Sequence, residues 1–168
     1  MDFRYNGAAI VGLGSNLKGA FVSSEALLEA ALGLFPAVGL AVLERSRWWR
    51  STSWPDPGAP DYLNGLAIVE TSQSPVETLA ALHELEEMFG RIRRADNAPR
   101  TLDLDLIAHG RAVLQEGAII LPHPRAAERL FVMGPLAEIA PDWVHPVMGE
   151  TATALAARAG VGRDARPV

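Results

Sequence analysis

The sequence predicts an α+β fold of the ferredoxin-like type, with helices packed on one face of an antiparallel sheet in the order β-α-β-β-α-β, followed by a C-terminal extension. Three observations predict this class. Short apolar runs alternate along the chain with two segments of helical periodicity, both helical segments have clear end signals, and 168 residues are the size of one domain. We therefore expect a single domain over residues 1–168.

The strands are predicted from apolar runs and from alternation. Residues 8–13 form a short apolar run that enters a glycine-rich loop, and residues 38–50 and 62–71 are two further strand candidates. Residues 101–107 alternate strictly between polar and apolar side chains, which is typical of a strand with one buried face. Three prolines within residues 54–60 remove backbone donors, so no regular structure is expected there.

The helices are predicted from their spacing and their ends. Large apolar residues recur at helical intervals over residues 21–35. The string Ser74-Pro75-Val76-Glu77 places an N-cap, a proline in the first turn and a capping-box glutamate at the start of a second helix, which Gly90 ends. A short helix or two, including residues 152–159 capped by Thr151, is expected in the C-terminal extension.

Composition and charge exclude several classes of function. The chain has no cysteine, which rules out disulfides, thiolate metal sites and a cysteine nucleophile. Its formal net charge is −5, so it lacks the overall positive field that attracts nucleic acid. The N-terminus is polar, and no apolar run reaches the roughly 18 residues of a membrane span. We expect a cytoplasmic monomer that binds neither nucleic acid nor a membrane.

Asp103 and Asp105 are the first candidates for a chemical site. Alternate residues of a strand share a face, so the two carboxylates stand about 6–7 Å apart, opposite Leu102, Leu104 and Leu106. Carboxylates this close repel each other, and Mg²⁺, which binds one or two carboxylates together with phosphate oxygens, would remove the repulsion. Asp is rare in strands, so a pair needs a reason. The alternative is a solvated strand face with two exposed acids.

The segment before this strand is rich in arginine. Residues 91–100 hold four arginines and one aspartate, a surplus of three positive charges inside an acidic protein. Beside a metal-bound pair of carboxylates, such cations would neutralise the charge of a polyphosphate during transfer. Taken alone, the same segment would be a solvated run of charges.

Two histidines complete the set of candidates. His83 and Glu86 are three residues apart on one side of the second helix, where a lone histidine is more often a packing residue. His123 lies between two prolines, in a kinked segment that aims its side chain, and Arg129 and Phe131 follow it.

Taken together, these segments resemble the 6-hydroxymethyl-7,8-dihydropterin pyrophosphokinase family of folate biosynthesis. The resemblance spans about residues 8–146, in the family's order. Its most specific string is Pro99-Arg100-Thr101-Leu102-Asp103-Leu104-Asp105. The other matching strings are Gly12-Leu13-Gly14-Ser15-Asn16-Leu17, Pro60-Asp61-Tyr62-Leu63-Asn64, Gly90-Arg91-Ile92-Arg93, Pro122-His123-Pro124 and Pro135-Leu136-Ala137-Glu138-Ile139-Ala140-Pro141.

The resemblance implies a ferredoxin-like α+β fold and transfer of the terminal diphosphate of ATP to the hydroxymethyl group of the pterin, which leaves AMP. It implies that Asp103 and Asp105 bind two Mg²⁺ ions, and that Arg91, Arg100 and Asp105 act in catalysis. The residues implied to bind ATP are His83, Glu86, Arg91, Arg93, Arg100, His123 and Arg129. The residues implied to bind the pterin are Ser51, through its backbone, Tyr62 and Phe131, as aromatic walls, and Asn64, as the polar contact.

The chain departs from the family's pattern in the lid and after the second strand. Asp96-Asn97-Ala98-Pro99 is one residue shorter than usual and lacks the Arg and the Trp that precede Pro-Arg in the family's lid. The family's Thr-x-Pro becomes Ser51-Thr52-Ser53-Trp54, and we expect Trp54 to cover the pterin instead.

Two other classes of function stay open from the residues alone. A metal-dependent phosphoryl or nucleotidyl transferase acting on other substrates would keep Asp103 and Asp105 but not the pterin pocket. A non-catalytic ferredoxin-like binding module would carry the two acids as surface decoration. Tyr62, Asn64 and Phe131 discriminate between these classes, because a generic transferase has no need for two aromatic rings around an asparagine.

Overall fold

The computed structural model describes residues 5, 7–17, 19–52, 58–90 and 101–168, and within these ranges a six-stranded sheet, a small hairpin and four α-helices are formed. The strands are β1 (Ala9–Ser15), β2 (Ala41–Arg45), β3 (Trp49–Ser51), β4 (Tyr62–Glu70), β5 (Asp103–His109), β6 (Leu114–Glu116), β7 (Ile119–Leu121) and β8 (Arg166–Pro167). The helices are α1 (Ser24–Gly33), α2 (Pro75–Met88), α3 (Leu130–Ile139) and α4 (Ala152–Arg158). None of these helices is long and apolar enough to cross a bilayer.

The main sheet has the strand order β5-β1-β4-β3-β8, and β2 also pairs with β4. Every one of these pairs is antiparallel. The first strand therefore lies between β4 and β5, and β5 is the edge strand on its side of the sheet. The hairpin of β6 and β7 is separate from the main sheet. The predicted combination of an antiparallel sheet with packed helices is confirmed.

The first two helices cover one face of the sheet. Leu28 of α1 and Leu82 of α2 are completely buried, and they share a core with Leu104 of β5. The capping box predicted for α2 is present. The Ser74 Oγ accepts the N–H of Glu77 at 3.2 Å, and the Glu77 Oε1 accepts the N–H of Ser74 at 3.1 Å.

The last two helices cover the opposite face. Met133 and Leu136 of α3 and Leu155 of α4 are completely buried in a second core, together with Ile10 and Ile68 of the sheet. The two helices of the predicted β-α-β-β-α-β order therefore share one face, and the helices of the C-terminal extension cover the other. The sheet is apolar on both faces, and the C-terminal extension supplies the layer that removes the second face from water.

Helical periodicity does not locate α3, because this helix contains Gly134 and Pro135, two signals of a helix break. Pro135 has no N–H for the carbonyl one turn earlier, yet its neighbours on both sides are buried, and their packing keeps the segment helical. Glycine is required at position 134 because the Trp49 ring lies very close to the helix backbone there. A Cβ at this position would lie 2.6 Å from the Trp49 ring.

The strand predicted over residues 38–50 is two strands, β2 and β3. A register shift within β2 and the three residues 46–48 interrupt its pairing with β4. At the break the Ser46 Oγ accepts the N–H of Leu66 at 2.9 Å. The buried Trp48 ring lies over Gly65, where a Cβ would come within 2.6 Å of the indole. A long-range contact thus breaks a segment whose local pattern is continuous.

His145 is a buried histidine that holds a turn in the C-terminal extension. Only 6% of it is exposed, and its Nδ1 accepts the N–H groups of Val147 and Met148 at 3.2 and 3.0 Å. Burial and the nearby Arg111 lower the pKa of His145 below its ordinary value of 6.5, against an opposing effect of Glu150. Protonation of Nδ1 would remove both hydrogen bonds.

We predict a pH-dependent stability that originates in His145. The unfolded chain binds this proton more readily than the folded protein, so the free energy of unfolding should fall as the pH drops from 6.5 toward the folded pKa. The slope is at most about 1.4 kcal/mol per pH unit. Well above 6.5 the imidazole is neutral in both states and contributes no pH dependence.

Urea unfolding of the wild type and of His145→Asn, between about pH 5 and pH 8, measures this effect. Asn keeps an acceptor for the turn but does not titrate, so the variant should lose less stability in acid than the wild type. Parallel curves for the two proteins would contradict the prediction.

Candidate active site

Three neighbouring strands place the candidate residues in two rows across the sheet. In the first row Asp103 of β5 opposes Gly14 of β1, which in turn opposes Asn64 of β4. In the second row Asp105 opposes Gly12. Opposed residues of an antiparallel sheet share a face, so the two carboxylates and the amide are on the same side, and the glycines leave a floor without side chains between them.

A cleft of about 1090 Å³ opens over this floor. We call it the larger cleft. It brings together side chains from distant parts of the sequence, because β3, β4, β5 and the start of α3 all border it. The predicted site residues that line it are Ser51, Tyr62, Asn64, Asp103, Asp105, Arg129 and Phe131.

A second cleft, of about 310 Å³, lies along the edge strand β5, beside α2 and β7. Its polar lining includes His83, Glu86 and His123. Asp103 and Asp105 line this cleft as well as the larger one. The aspartate pair therefore forms a wall shared by the two clefts, which is where two bound molecules would meet.

Glu86 ties α2 to the strand that carries the aspartates. It is 2% exposed, and its Oε2 accepts the N–H of Leu104 at 3.3 Å. Leu104 lies between Asp103 and Asp105, so this bond fixes the backbone that orients both carboxylates. The Thr101 Oγ1 also donates to the Phe89 carbonyl at 2.6 Å, which joins the end of α2 to the start of β5.

The backbone of His123 is docked against β5 as well, farther along the strand. Its N–H donates to the Ile107 carbonyl at 2.9 Å, and its Nδ1 accepts the N–H of Arg125 at 3.2 Å. Burial lowers the pKa of His123 below 6.5, Asp105 opposes this shift, and Arg129 and Arg125 add to it. The imidazole is therefore neutral at pH 7 and offers a hydrogen-bonding ring to the second cleft.

Phe131 and Arg129 form one unit at the start of α3. The guanidinium carbon of Arg129 lies 5.6 Å from the centre of the Phe131 ring, within the range of a cation–π contact. Both residues line the larger cleft, so Arg129 borders the same space as Tyr62 and Asn64 and not the second cleft with His83.

The predicted site residues fall into two groups, those that the structure describes and those that it does not. Those described by the structure all line one or both clefts. Trp54, Arg91, Arg93 and Arg100 lie outside the described residues.

Sequence reasoning did not anticipate one side of the larger cleft. Thr52 and residues 160–164 line it, although the latter belong to the C-terminal extension. Their string, Gly160-Val161-Gly162-Arg163-Asp164, has no recognisable motif. The two closely spaced glycines are the only local signal in this string, because glycine often marks a place where the backbone packs closely against another group.

A carboxylate pair at the junction of two clefts, one with aromatic walls, is typical of metal-dependent transferases that bring two small substrates together. Residues 10–141 match the model of the family described as 7,8-dihydro-6-hydroxymethylpterin-pyrophosphokinase (HPPK). The chain belongs to this family.

Relatives named as pyrophosphokinases or as a folic acid synthesis protein agree with this assignment. A 2-amino-4-hydroxy-6-hydroxymethyldihydropteridine pyrophosphokinase of Synechocystis sp. is 44% identical over 144 residues, which are 85% of this chain and 71% of the relative. A protein of the same name from Methylorubrum extorquens is 35% identical, over 85% of this chain and 87% of the relative. The folic acid synthesis protein fol1 of Pneumocystis carinii is also 35% identical, but the matched region is only 19% of that longer protein.

Solved structures share the fold. A Plasmodium falciparum HPPK-DHPS chain solved with pteroate superposes with a TM-score of 0.72 at 12% identity, over 89% of this chain. The wild-type structure of the same protein superposes with a TM-score of 0.68. This chain spans 42% and 44% of those two longer chains, so the likeness concerns one part of them.

We predict that Gly14 and Gly12 respond differently to an added methyl group. A Cβ at Gly14 would lie 2.6 Å from the Asn64 Oδ1, whereas a Cβ at Gly12 would make an ordinary contact at 3.5 Å with Ile107 and Leu66. Gly14→Ala should therefore rotate the Asn64 amide and shift its side-chain NMR resonances, with a loss of about 1 kcal/mol in stability.

Gly12→Ala is the matched control on the same strand and the same face. It should leave the Asn64 amide resonances in place and change the free energy of unfolding by less than Gly14→Ala does. Equal shifts in both variants would show that Gly14 is not what allows the Asn64 amide to lie over the floor.

Proposed function

We propose that this chain transfers the terminal diphosphate of ATP to 6-hydroxymethyl-7,8-dihydropterin, giving the pterin diphosphate and AMP, as a step of folate biosynthesis. The observation that carries the proposal is the wall of Asp103 and Asp105 between two clefts, one lined by aromatic rings and an amide and the other by polar side chains. Family membership and the names of the relatives support the same reaction.

We infer that the whole chain is a single ferredoxin-like domain with a C-terminal extension, acting as a cytoplasmic monomer. The chain order β1-α1-β2-β3-β4-α2-β5 supports this if β2 and β3 are counted as one interrupted strand. The antiparallel order of β5, β1, β4 and β3 fits the same arrangement.

The aspartate pair suits Mg²⁺. No cluster of three or more His, Cys, Asp or Glu side chains that could hold a metal is found among the described residues. We propose that Asp103 and Asp105 supply the protein ligands. Two carboxylates with substrate phosphates and water are the ligand set that Mg²⁺ prefers. Bound Mg²⁺, for which we propose two ions, supplies charge neutralisation at the transferring phosphates. Glu86 holds the backbone between the two ligands.

ATP belongs in the second cleft. His83, Glu86 and His123 offer it hydrogen-bonding groups, and the neutral His123 ring adds no charge next to the aspartates. Arg91, Arg93 and Arg100 belong to the segment of the sequence between α2 and β5, and the Thr101–Phe89 hydrogen bond joins described residues on either side of this segment. We assign these arginines to the phosphates, with Arg129 reaching them from the larger cleft.

The pterin belongs in the larger cleft. A flat heteroaromatic ring is held by ring faces and identified by hydrogen bonds at its edge, and Tyr62 with Phe131 supply the faces. The Asn64 amide offers both a donor and an acceptor at the floor. We assign the backbone of Ser51 to the pterin as well, and we propose that Trp54, which lies outside the described residues, covers the ring.

Catalysis in this arrangement is mostly positioning and charge neutralisation. The hydroxymethyl oxygen has to meet the β-phosphorus in line, and the wall of Asp103 and Asp105 is where molecules in the two clefts approach each other. Arg91 and Arg100 neutralise the charge that moves with the diphosphate, and Asp105, on the exposed side of β5, faces the reacting oxygen.

We predict that AMP appears from ATP only when the pterin is added, and that Asp103→Asn and Asp105→Asn each lower this activity at least about a hundredfold. Both side chains lie off the apolar face of β5, so both variants should unfold in urea like the wild type. Asp142→Asn removes an exposed carboxylate outside both clefts and should keep full activity. AMP release without pterin would favour a transferase for another acceptor.

We also predict that Asn64→Ala weakens pterin binding by about 1–3 kcal/mol, because a buried polar edge of the ligand loses its partner. ATP binding should change little, since the second cleft does not include Asn64. Calorimetry with each ligand separately measures both affinities. Unchanged pterin affinity would exclude the floor of the larger cleft as the pterin site.

A further inference from the structure

The larger cleft has a wall that lies beyond the family's matched region. Residues 160–164, here called the C-terminal wall, line it, whereas the family match ends at residue 141. The wall follows α4 and leads into β8, so it reaches the cleft only through the tertiary fold.

Backbone hydrogen bonds tie the C-terminal wall to the start of α3. The N–H of Val161 donates to the Glu128 carbonyl at 2.9 Å, and the N–H of Leu130 donates to the Val161 carbonyl at 2.9 Å. Phe131 follows Leu130 directly. The two bonds therefore hold the wall beside the residue that supplies one aromatic side of the cleft.

Gly162 touches the Phe131 ring. Its φ is +70°, a left-handed conformation that other residues rarely adopt, and a Cβ there would lie 2.5 Å from the Phe131 Cδ1. Only glycine lets the backbone approach the ring this closely. The wall thus limits where the Phe131 ring can lie.

Asp164 binds the chain directly after β3, at another part of the cleft lining. Its Oδ2 accepts the N–H of Thr52 at 2.7 Å, next to Ser51. Hydrogen bonds from the side chain and backbone of Thr52 lower the pKa of Asp164, so it is ionised at neutral pH. Pairing of β8 with β3, together with a bond from the N–H of Val168 to the Trp48 carbonyl at 2.9 Å, keeps this part of the chain against β3.

We propose that the C-terminal wall is a positioning element of the pterin cleft, in which Gly162 sets the Phe131 ring and Asp164 sets the backbone at Ser51 and Thr52. The proposal rests on the proposed function for its ligand. The wall acts through residues that contact the pterin and does not line the second cleft, so its loss should affect pterin use and spare ATP use.

The test compares steady-state kinetics of Asp164→Ala, Asp164→Asn and Gly162→Ala with the wild type. Asp164→Ala and Gly162→Ala should each raise the KM for pterin about fivefold or more, with the KM for ATP and kcat within about twofold. Asp164→Asn keeps an acceptor oxygen and should restore most of the pterin KM. Asp142→Ala, a change of an exposed acid elsewhere in the extension, should match the wild type.

A second readout does not depend on activity. Hydrogen exchange of the Thr52 amide, followed by NMR on the ligand-free protein, should be faster in Asp164→Ala than in the wild type and in Asp164→Asn. An unchanged pterin KM in Asp164→Ala or Gly162→Ala, or an equal rise in both KM values, overturns the proposal. If the wild type makes no pterin-dependent AMP, the proposed function fails, and unchanged Thr52 exchange in Asp164→Ala then overturns the positioning role as well.

Discussion

The antiparallel register of β5, β1 and β4 is the constraint on which the site depends. It sets a carboxylate, a glycine and an amide in one row, with Asp103, Gly14 and Asn64 directly opposed. A slip of one residue would turn every side chain of β5 to the other face. Asp103 and Asp105 would then enter the core under α1 and α2, and Leu104 would face the cleft. The cost of burying two carboxylates makes the observed register strongly preferred.

The position of β5 at the sheet edge explains how one pair of aspartates serves two clefts. An edge strand has no neighbour on its outer side, so a cleft can open beside it as well as over its face. The outer N–H of Leu104 would lack a strand partner there. The buried carboxylate of Glu86 accepts it, and this bond offsets part of the cost of burying the glutamate while it stabilises the strand between the two aspartates.

The C-terminal extension has two structural roles that a count of helices and strands would not suggest. Its helices cover the second apolar face of the sheet, where Met133 and Leu136 are completely buried. The chain then returns to the larger cleft and to β3, where Asp164 reaches Thr52. The same segment that completes the core also closes one side of the cleft, so stability and cleft shape are coupled in this part of the molecule.

The local sequence was sufficient wherever a short-range rule decides structure. The local sequence alone specifies the capping box of Ser74 and Glu77, the alternation that separates Leu104 from its two aspartate neighbours, and the strings shared with the family. These features depend on residues within one turn or one strand. They predicted the antiparallel sheet with its packed helices and the two carboxylates side by side.

Only the tertiary structure decided which distant residues meet. The break in the strand of residues 38–50 follows from Trp48 lying over Gly65, and α3 persists through Gly134 and Pro135 because Trp49 and the second core pack against it. The shared wall of the clefts, the place of Arg129 beside Phe131 and the contact of residues 160–164 with the larger cleft have the same origin. Such contacts depend on packing between segments far apart in the chain, and local periodicity carries no information about them.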